Sequence, residues 1–131
     1  MREQRNPYKG SPLRPWVRLV LVAADGASQA MDVLADTGNP CALIVSPALL
    51  KQFNIGLAPG MSTNFGPLEG AWLRVQIPEI QWEQTILAYG STAVWQATQD
   101  SHVDFQGLAV LPLLQCLEYG GDAASFWVRT R

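Results

Sequence analysis

Residues 33–40 read VLADTGNP, in which an apolar run leads into an aspartate, a small hydroxyl residue and a glycine. Asp36 can serve as an acid or a base. Thr37 supplies a hydroxyl that can fix a neighbouring backbone group, and Gly38 allows a sharp turn that brings its amide close to the carboxylate. By itself the triplet is a weak signal. Asp-Thr-Gly arises by chance in ~3% of chains of this length, and Asp and Gly also favour plain turns.

The residues before the triplet predict a β-hairpin. Residues 16–23 are rich in valine and leucine and predict a strand, Asp25-Gly26 is a turn signal, and residues 29–35 alternate as a returning strand. This hairpin delivers the chain to Asp36. A triplet in this setting is more informative than one in an isolated turn.

The residues after the triplet predict a short strand and then a helix. Residues 42–45 are apolar, and Ser46-Pro47 opens the helix, because Ser46 can cap free amides of the first turn and proline suits the first helical position. The apolar face consists of Leu49, Leu50 and Phe53. Asn54 and Gly56 are expected to end the helix.

The rest of the chain predicts further short strands. Residues 56–70 are expected to be loop-rich, residues 72–77 to form a half-buried strand that Pro78 ends, and residues 82–89 to form another. Residues 90–104 are polar and less regular. Residues 108–114 predict a short helix after Gly107, and residues 116–119 and 125–129 a closing hairpin. We therefore expect a mainly β fold of seven or eight strands and one or two short helices, closed as a barrel rather than built from βαβ units.

Length and composition indicate one globular domain. The chain has 131 residues, 48% of them apolar and 15% charged, and its net charge of −2 provides no basic field for nucleic acid. We assign residues 15–131 to the domain and residues 1–14 to a polar N-terminal arm that is flexible unless a partner fixes it. No apolar run approaches the ~20 residues that a membrane span needs. The apolar stretch 19–24 is shorter than a secretory core, so we expect a cytoplasmic protein.

Other chemistry-bearing residues favour no second site. Cys41 and Cys116 match no zinc motif and are expected to be buried thiols. His102 lies near Asp104, but one histidine does not make a metal site. The remaining aspartates near the triplet, Asp25 and Asp32, are expected on the hairpin surface.

Taken together, the triplet and its setting resemble the retropepsins and their bacterial single-domain relatives among the aspartic proteases. The resemblance covers residues 16–129. It implies a closed retropepsin-like barrel, with Asp36, Thr37 and Gly38 as the catalytic triplet. The segment Phe65-Gly66-Pro67-Leu68-Glu69-Gly70 falls where the substrate-binding flap would lie, so Phe65, Gly66, Pro67, Leu68 and Gly70 are its candidate residues. Phe105-Gln106-Gly107 falls where the family has its second structural motif.

The same resemblance implies a homodimeric peptidase. Its mechanism needs two facing aspartates that share a proton. This chain has one such triplet, so two copies would each supply Asp36 and act on a peptide or protein substrate without a metal or organic cofactor.

Two departures leave other hypotheses open. Asn39 stands where the family has a small residue, and Gln106 replaces an apolar residue. One alternative is therefore a non-catalytic module of the same fold that dimerises or binds peptides. The other is an unrelated β-barrel in which the triplet is a plain turn.

Overall fold

A computed structural model describes residues 2–36, 42–64, 66–98 and 105–131. In these ranges the strands are β1 (Glu3–Pro7), β2 (Trp16–Val22), β3 (Ser28–Asp36), β4 (Leu43–Val45), β5 (Asn54–Thr63), β6 (Gly66–Ile77), β7 (Trp82–Gly90), β8 (Gly107–Val110), β9 (Leu117–Gly121) and β10 (Ser125–Thr130). The helices are α1 (Pro47–Phe53), α2 (Thr92–Ala97) and α3 (Leu111–Leu114), and Pro78–Ile80 forms a single 3₁₀ turn.

Six strands close into a barrel. The order β2-β3-β8-β4-β7-β6 returns to β2, because β6 also pairs with β2 over Val20 to Val22. Four of the six neighbouring pairs are antiparallel, whereas β3 pairs with β8 and β4 with β7 in parallel. β5 is bonded to β6 outside the ring. The prediction of a mainly β, closed barrel is therefore confirmed.

The predicted N-terminal hairpin is present. β2 and β3 pair from Trp16 opposite Leu34 to Val22 opposite Ser28. The turn between them places Gly26 at φ +91°, a conformation that glycine adopts without strain. Alternate residues of both strands, including Leu19 and Val33, are completely buried in the barrel interior. The hairpin thus owes its position to a local turn signal and to burial of one face.

The predicted helix after the triplet is also present, and the structure has one helix, α2, that was not foreseen. The Ser46 hydroxyl accepts a hydrogen bond from the Leu49 amide at 3.2 Å, and Pro47 occupies the first turn of α1. α2 lies in the segment that was expected to be irregular. It begins in the same way, because the Ser91 hydroxyl accepts from the Val94 amide at 3.1 Å. With α3, the described residues hold three short α-helices where one or two were expected.

Two expectations about element type are corrected. Residues 54–63 form the long strand β5, although their glycines and proline predicted loops. Gly60 lies in a bulge, where an added Cβ would fall 2.3 Å from the Leu68 carbonyl oxygen, so the close contact between backbones requires glycine. Residues 107–110 form strand β8, and only Leu111–Leu114 are helical. A short apolar run is compatible with either element, and here pairing with β3 and β4 decides for the strand.

The N-terminal segment belongs to the fold and is not a free arm. β1 pairs with β10 from Glu3 opposite Arg129 to Pro7 opposite Ser125, and β10 pairs in turn with β9. The expectation of a flexible arm is therefore corrected for Glu3–Pro7, because their backbone groups form a sheet ladder within the same chain.

Side-chain amides join this three-stranded sheet to the barrel. Main-chain pairing of β2 with β6 covers only Val20 to Val22. Next to it, the buried Gln4 amide accepts from the Arg18 amide at 2.8 Å and donates to the Arg18 carbonyl at 2.9 Å. Asn6 donates to the Trp16 carbonyl at 3.2 Å. Gln4 and Asn6 thus satisfy backbone groups of β2 in place of a neighbouring strand.

Replacing Gln4 by alanine tests these hydrogen bonds between β1 and β2. Gln4→Ala leaves the N–H and C=O groups of Arg18 without these partners, and we expect a loss of about 1–3 kcal/mol in the free energy of unfolding. Urea denaturation followed by tryptophan fluorescence measures it. Gln84→Ala, at an exposed position of β7, is the matched control and should change stability little. Equal effects of the two substitutions would contradict the role assigned to Gln4.

Candidate functional site

Asp36 is the last residue of β3 and lies beside β8. Its partner in the parallel pairing is Val110. Side chains alternate along a strand, so Asp36 shares the outer face of the barrel with Leu34, while Val33 and Ala35 pack into the core. Asp36 is partly buried. The other triplet residues, Thr37 and Gly38, and also Asn39, lie outside the described residues.

Ala42 also lies beside Val110 of β8. The Val110 amide donates to the Ala42 carbonyl at 3.0 Å, so Asp36 and Ala42 both lie at Val110. Val110 is completely buried. Sequence reasoning missed this neighbour because it predicted a helix for residues 108–114. Residues 108–110 are all apolar, so their sequence carried no periodic signal that distinguishes a strand from a helix.

The expected second motif lies at the other end of β8. Gly107 pairs with Val45, three residues along the strand from Val110. The Gln106 amide donates to the Asp32 carbonyl at 2.8 Å. Phe105 is completely buried in a cluster with Trp16 and Leu34. The structure therefore places Phe105, Gln106 and Gly107 near the middle of β3 and not beside Asp36.

The candidate flap residues lie at the start of β6, in a hairpin with β5. Thr63 pairs with Gly66 across the turn, and its hydroxyl donates to the Gly66 carbonyl at 2.9 Å. Gly66 has φ +95°. Pro67 pairs with Ser62. Phe65 lies outside the described residues.

The same hairpin belongs to one apolar cluster with Val110, the strand partner of Asp36. Leu68 is buried in a cluster with Val110, and Met61 packs against this cluster; its other buried members are Ile44, Tyr89 and Val94. Gly70 approaches the backbone of β5, where an added Cβ would lie 2.4 Å from the Pro59 carbonyl oxygen. The start of the hairpin and the end of β3 are therefore joined through one apolar cluster on the outer face.

A groove of about 640 Å³ lies between α1 and the β5–β6 hairpin. Its walls are mostly apolar and carry Lys51 on α1 and Glu69 on β6. Leu57, at its edge, is 84% exposed. Asp36 is not among the lining residues. The groove can accept an apolar group but is separate from the carboxylate.

Asp32 differs from the expectation of a surface residue. Its side chain is only 19% exposed, and its carboxylate accepts from Lys9 Nζ at 2.7 Å and from Arg18 Nε at 2.8 Å. Burial acts to raise the pKa of Asp32, but the hydrogen bonds from Arg18 and Lys9 outweigh it, so the pKa lies below its ordinary value. Asp25, by contrast, is exposed and accepts from the Ala27 amide at 2.9 Å, as expected for a turn residue.

The described residues were also compared with the requirements of a metal site and of a membrane-spanning helix. Among them, no three histidine, cysteine, aspartate or glutamate residues lie close enough together to hold a metal ion. Cys116 is a partly buried free thiol, and Cys41, His102 and Asp104 lie outside the described residues. Across the part of the chain that is described, each helix is too short or too polar to cross a bilayer.

Substitution of Gly107 tests the packing of β8 against β4. A Cβ at this position would lie 2.2 Å from the Ile44 carbonyl oxygen, so Gly107→Ala must shift a strand backbone. We expect a loss of roughly 1–3 kcal/mol in the free energy of unfolding, measured by urea denaturation. In the control variant Gly56→Ala, the Cβ meets only Trp72 Cδ1 at 3.6 Å and should be tolerated better. If the two variants were equally stable, the close approach of β4 and β8 would be disproved.

Comparisons with protein-family models, with curated proteins and with solved structures returned no match.

Proposed function

We propose that the chain is one subunit of a homodimeric aspartic endopeptidase in which two Asp36 carboxyl groups activate a water molecule. The single observation that carries the proposal is the position of Asp36. It ends a strand of a closed sheet, faces outward and is partly buried next to an apolar cluster that includes residues of a long hairpin. An aspartate at a strand end on the outer face can meet its counterpart in a second subunit. An aspartate that serves only in a turn does not require an apolar cluster beside it.

The chemistry requires the second copy. Two carboxyl groups ~3 Å apart cannot both ionise, so the pair holds one proton between them. The ionised member removes a proton from water as general base. The protonated member polarises the scissile carbonyl group and then gives its proton to the leaving amine. A two-fold axis passing near Asp36 supplies both members from identical chains.

The hairpin supplies the remaining requirement, exclusion of bulk water. Leu68 and Met61 lie in or against the cluster that contains Val110, the strand partner of Asp36. A peptide bound over Asp36 would therefore meet the start of β6. In this proposal Gly66, Pro67, Leu68 and Gly70 cover the substrate, and closure strengthens the electrostatic interactions inside the site.

Loss of the carboxylate tests the proposal directly. Asp36→Asn removes the ionisable group while keeping the side-chain shape, and we expect cleavage of a mixture of unstructured peptides to fall at least about 10³-fold. Mass spectrometry of new peptide termini measures it. Asp25→Asn is the control, since its amide oxygen can still accept from the Ala27 amide, and it should retain activity. Cleavage that survives Asp36→Asn would exclude the mechanism.

Subunit mixing and pH dependence test the shared proton. Wild-type chains mixed with excess Asp36→Asn chains should lose activity as mixed dimers form, with each active site then holding one carboxyl group. The kcat/KM of the wild type should follow a bell-shaped pH profile, because activity needs one proton on the pair and is lost when a second is added or the shared one leaves. A cleavage rate that depends only on the concentration of wild-type chains, whatever the excess of variant chains, would contradict a site built from two chains.

One observation favours a second candidate function, a non-catalytic peptide-binding module. The 640 Å³ groove between α1 and the hairpin does not include Asp36, so peptide binding and the carboxylate can be independent. This function predicts that peptides bind to wild type and Asp36→Asn with equal affinity and remain uncleaved between pH 4 and 7. Isothermal titration with the same peptide mixture, fractionated by size, distinguishes it from the peptidase.

A further inference from the structure

We propose that Lys9 and Asp32 form a clasp that fixes the N-terminal loop, residues 8–15, against β3 and the segment that precedes β8, and so positions the strand end that carries Asp36. The effect on catalysis rests on the proposed function. The mechanical coupling of the loop to β3 does not, and it can be tested without activity.

Three separate parts of the chain meet at Asp32. Its carboxylate accepts from Lys9 Nζ of the loop at 2.7 Å and from Arg18 of β2, whose Nε lies 2.8 Å from Oδ1 and whose second guanidinium nitrogen lies 3.2 Å from Oδ2. Its backbone carbonyl accepts from the Gln106 amide, just before β8, at 2.8 Å. One residue thus connects the loop, the first barrel hairpin and the segment that leads into β8.

Aromatic rings complete the surroundings of Lys9. Its ammonium nitrogen lies 3.7 Å from the centroid of the Trp16 ring and 5.5 Å from that of Phe105. Trp16 is 7% exposed and Phe105 is completely buried. A cation in this position is attracted to both the ring faces and the carboxylate. The contacts fix the loop, which is itself closed by backbone hydrogen bonds between Lys9 and Arg14.

From the clasp, the loop reaches the strand end within a few residues. The Ala35 amide donates to the Pro15 carbonyl at 3.1 Å, one residue before Asp36. Leu34 packs with Trp16 and Phe105 on the outer face. Asp32, Leu34 and Asp36 occupy alternate positions of β3 and share that face. Opening of the clasp is therefore expected to loosen the contacts of Leu34 and Ala35, the two residues of β3 that precede Asp36.

Asp32 keeps its negative charge to a lower pH than an ordinary aspartate does, so the clasp is less sensitive to acid. In the described ranges the charged groups that face Asp32 are Lys9 and Arg18, and Glu79 acts more weakly on Arg18. The folded-state pKa of Asp32 is lower than its unfolded value. The ion pairs therefore stabilise the fold fully above the unfolded value and lose their effect as pH falls through the folded one. The ion pairs of the clasp therefore persist to a lower pH than those of an aspartate with an unshifted pKa would.

Amide hydrogen exchange measured residue by residue by NMR tests the clasp. Asp32→Asn and Lys9→Met should accelerate exchange at Ala35 and Gln106 by about tenfold or more relative to wild type. The Leu73 and Val75 amides of β6 should change little. Lys9→Arg, which keeps the cation, should restore much of the protection. Glu83→Gln, which breaks an exposed ion pair with Arg74, is the matched control and should leave both sets of amides unchanged.

The outcomes separate the clasp from a general stabilising role. Selective acceleration at Ala35 and Gln106 supports the clasp, whereas equal acceleration at all amides, or none, overturns it. If Asp32→Asn does not fold, Lys9→Met decides in the same way, because the Arg18 contacts remain. In the peptidase assay, Lys9→Met should lower kcat with little change in KM. If the wild type cleaves no peptide, the proposed function fails, while selective exchange still supports the clasp.

Discussion

The parallel pairing of β3 with β8 is the constraint on which the surroundings of Asp36 depend. It spans only the three residues from Leu34 to Asp36, and it exists because β4 fills the space between β8 and β7. All three residues of β4 are buried, so removing this strand from the ring would expose apolar side chains on both faces. The closed ring therefore holds the end of β3 next to Val110. It also places Ala42 against the same residue.

Sequence reasoning succeeded where the signal is local. The turn at Gly26, the Ser46 cap and the stop at Pro78 each act within a few residues, and the structure has the corresponding hairpin, helix and strand end. The predicted hairpin also leads to Asp36, which is the last residue of β3. Its place at a strand end follows from that hairpin, while its place on an outer face beside β8 needed the structure.

Sequence reasoning failed where distant residues decide. Glycines in β5 predicted loops, but they accommodate the close backbone of β6 in a bulged pair. The Gln4 side chain makes the hydrogen bonds to the Arg18 backbone that a neighbouring strand would otherwise make. Arg18 lies 14 residues further along the chain, and such a contact leaves no periodic pattern in the sequence. Asp32 is polar and lies in a hairpin, so only its contacts with Lys9 and Arg18 show that it is partly buried. The resemblance suggested the second motif at Phe105-Gln106-Gly107, and its location near the middle of β3 follows from the long-range pairing of β8.

The outer edge of β5 has a consequence for how the protein tolerates high concentration. Among the described strands, β5 is bonded only to β6, and a ten-residue strand with one side unpaired in this way, carrying the highly exposed Leu57, is the kind of surface on which identical molecules stack into fibrils. Pro59 offers no N–H to an incoming strand, and the shifts of register after Asn54 and Ala58 bend the edge out of plane. The long hairpin can therefore extend from the barrel while remaining a poor template for self-association.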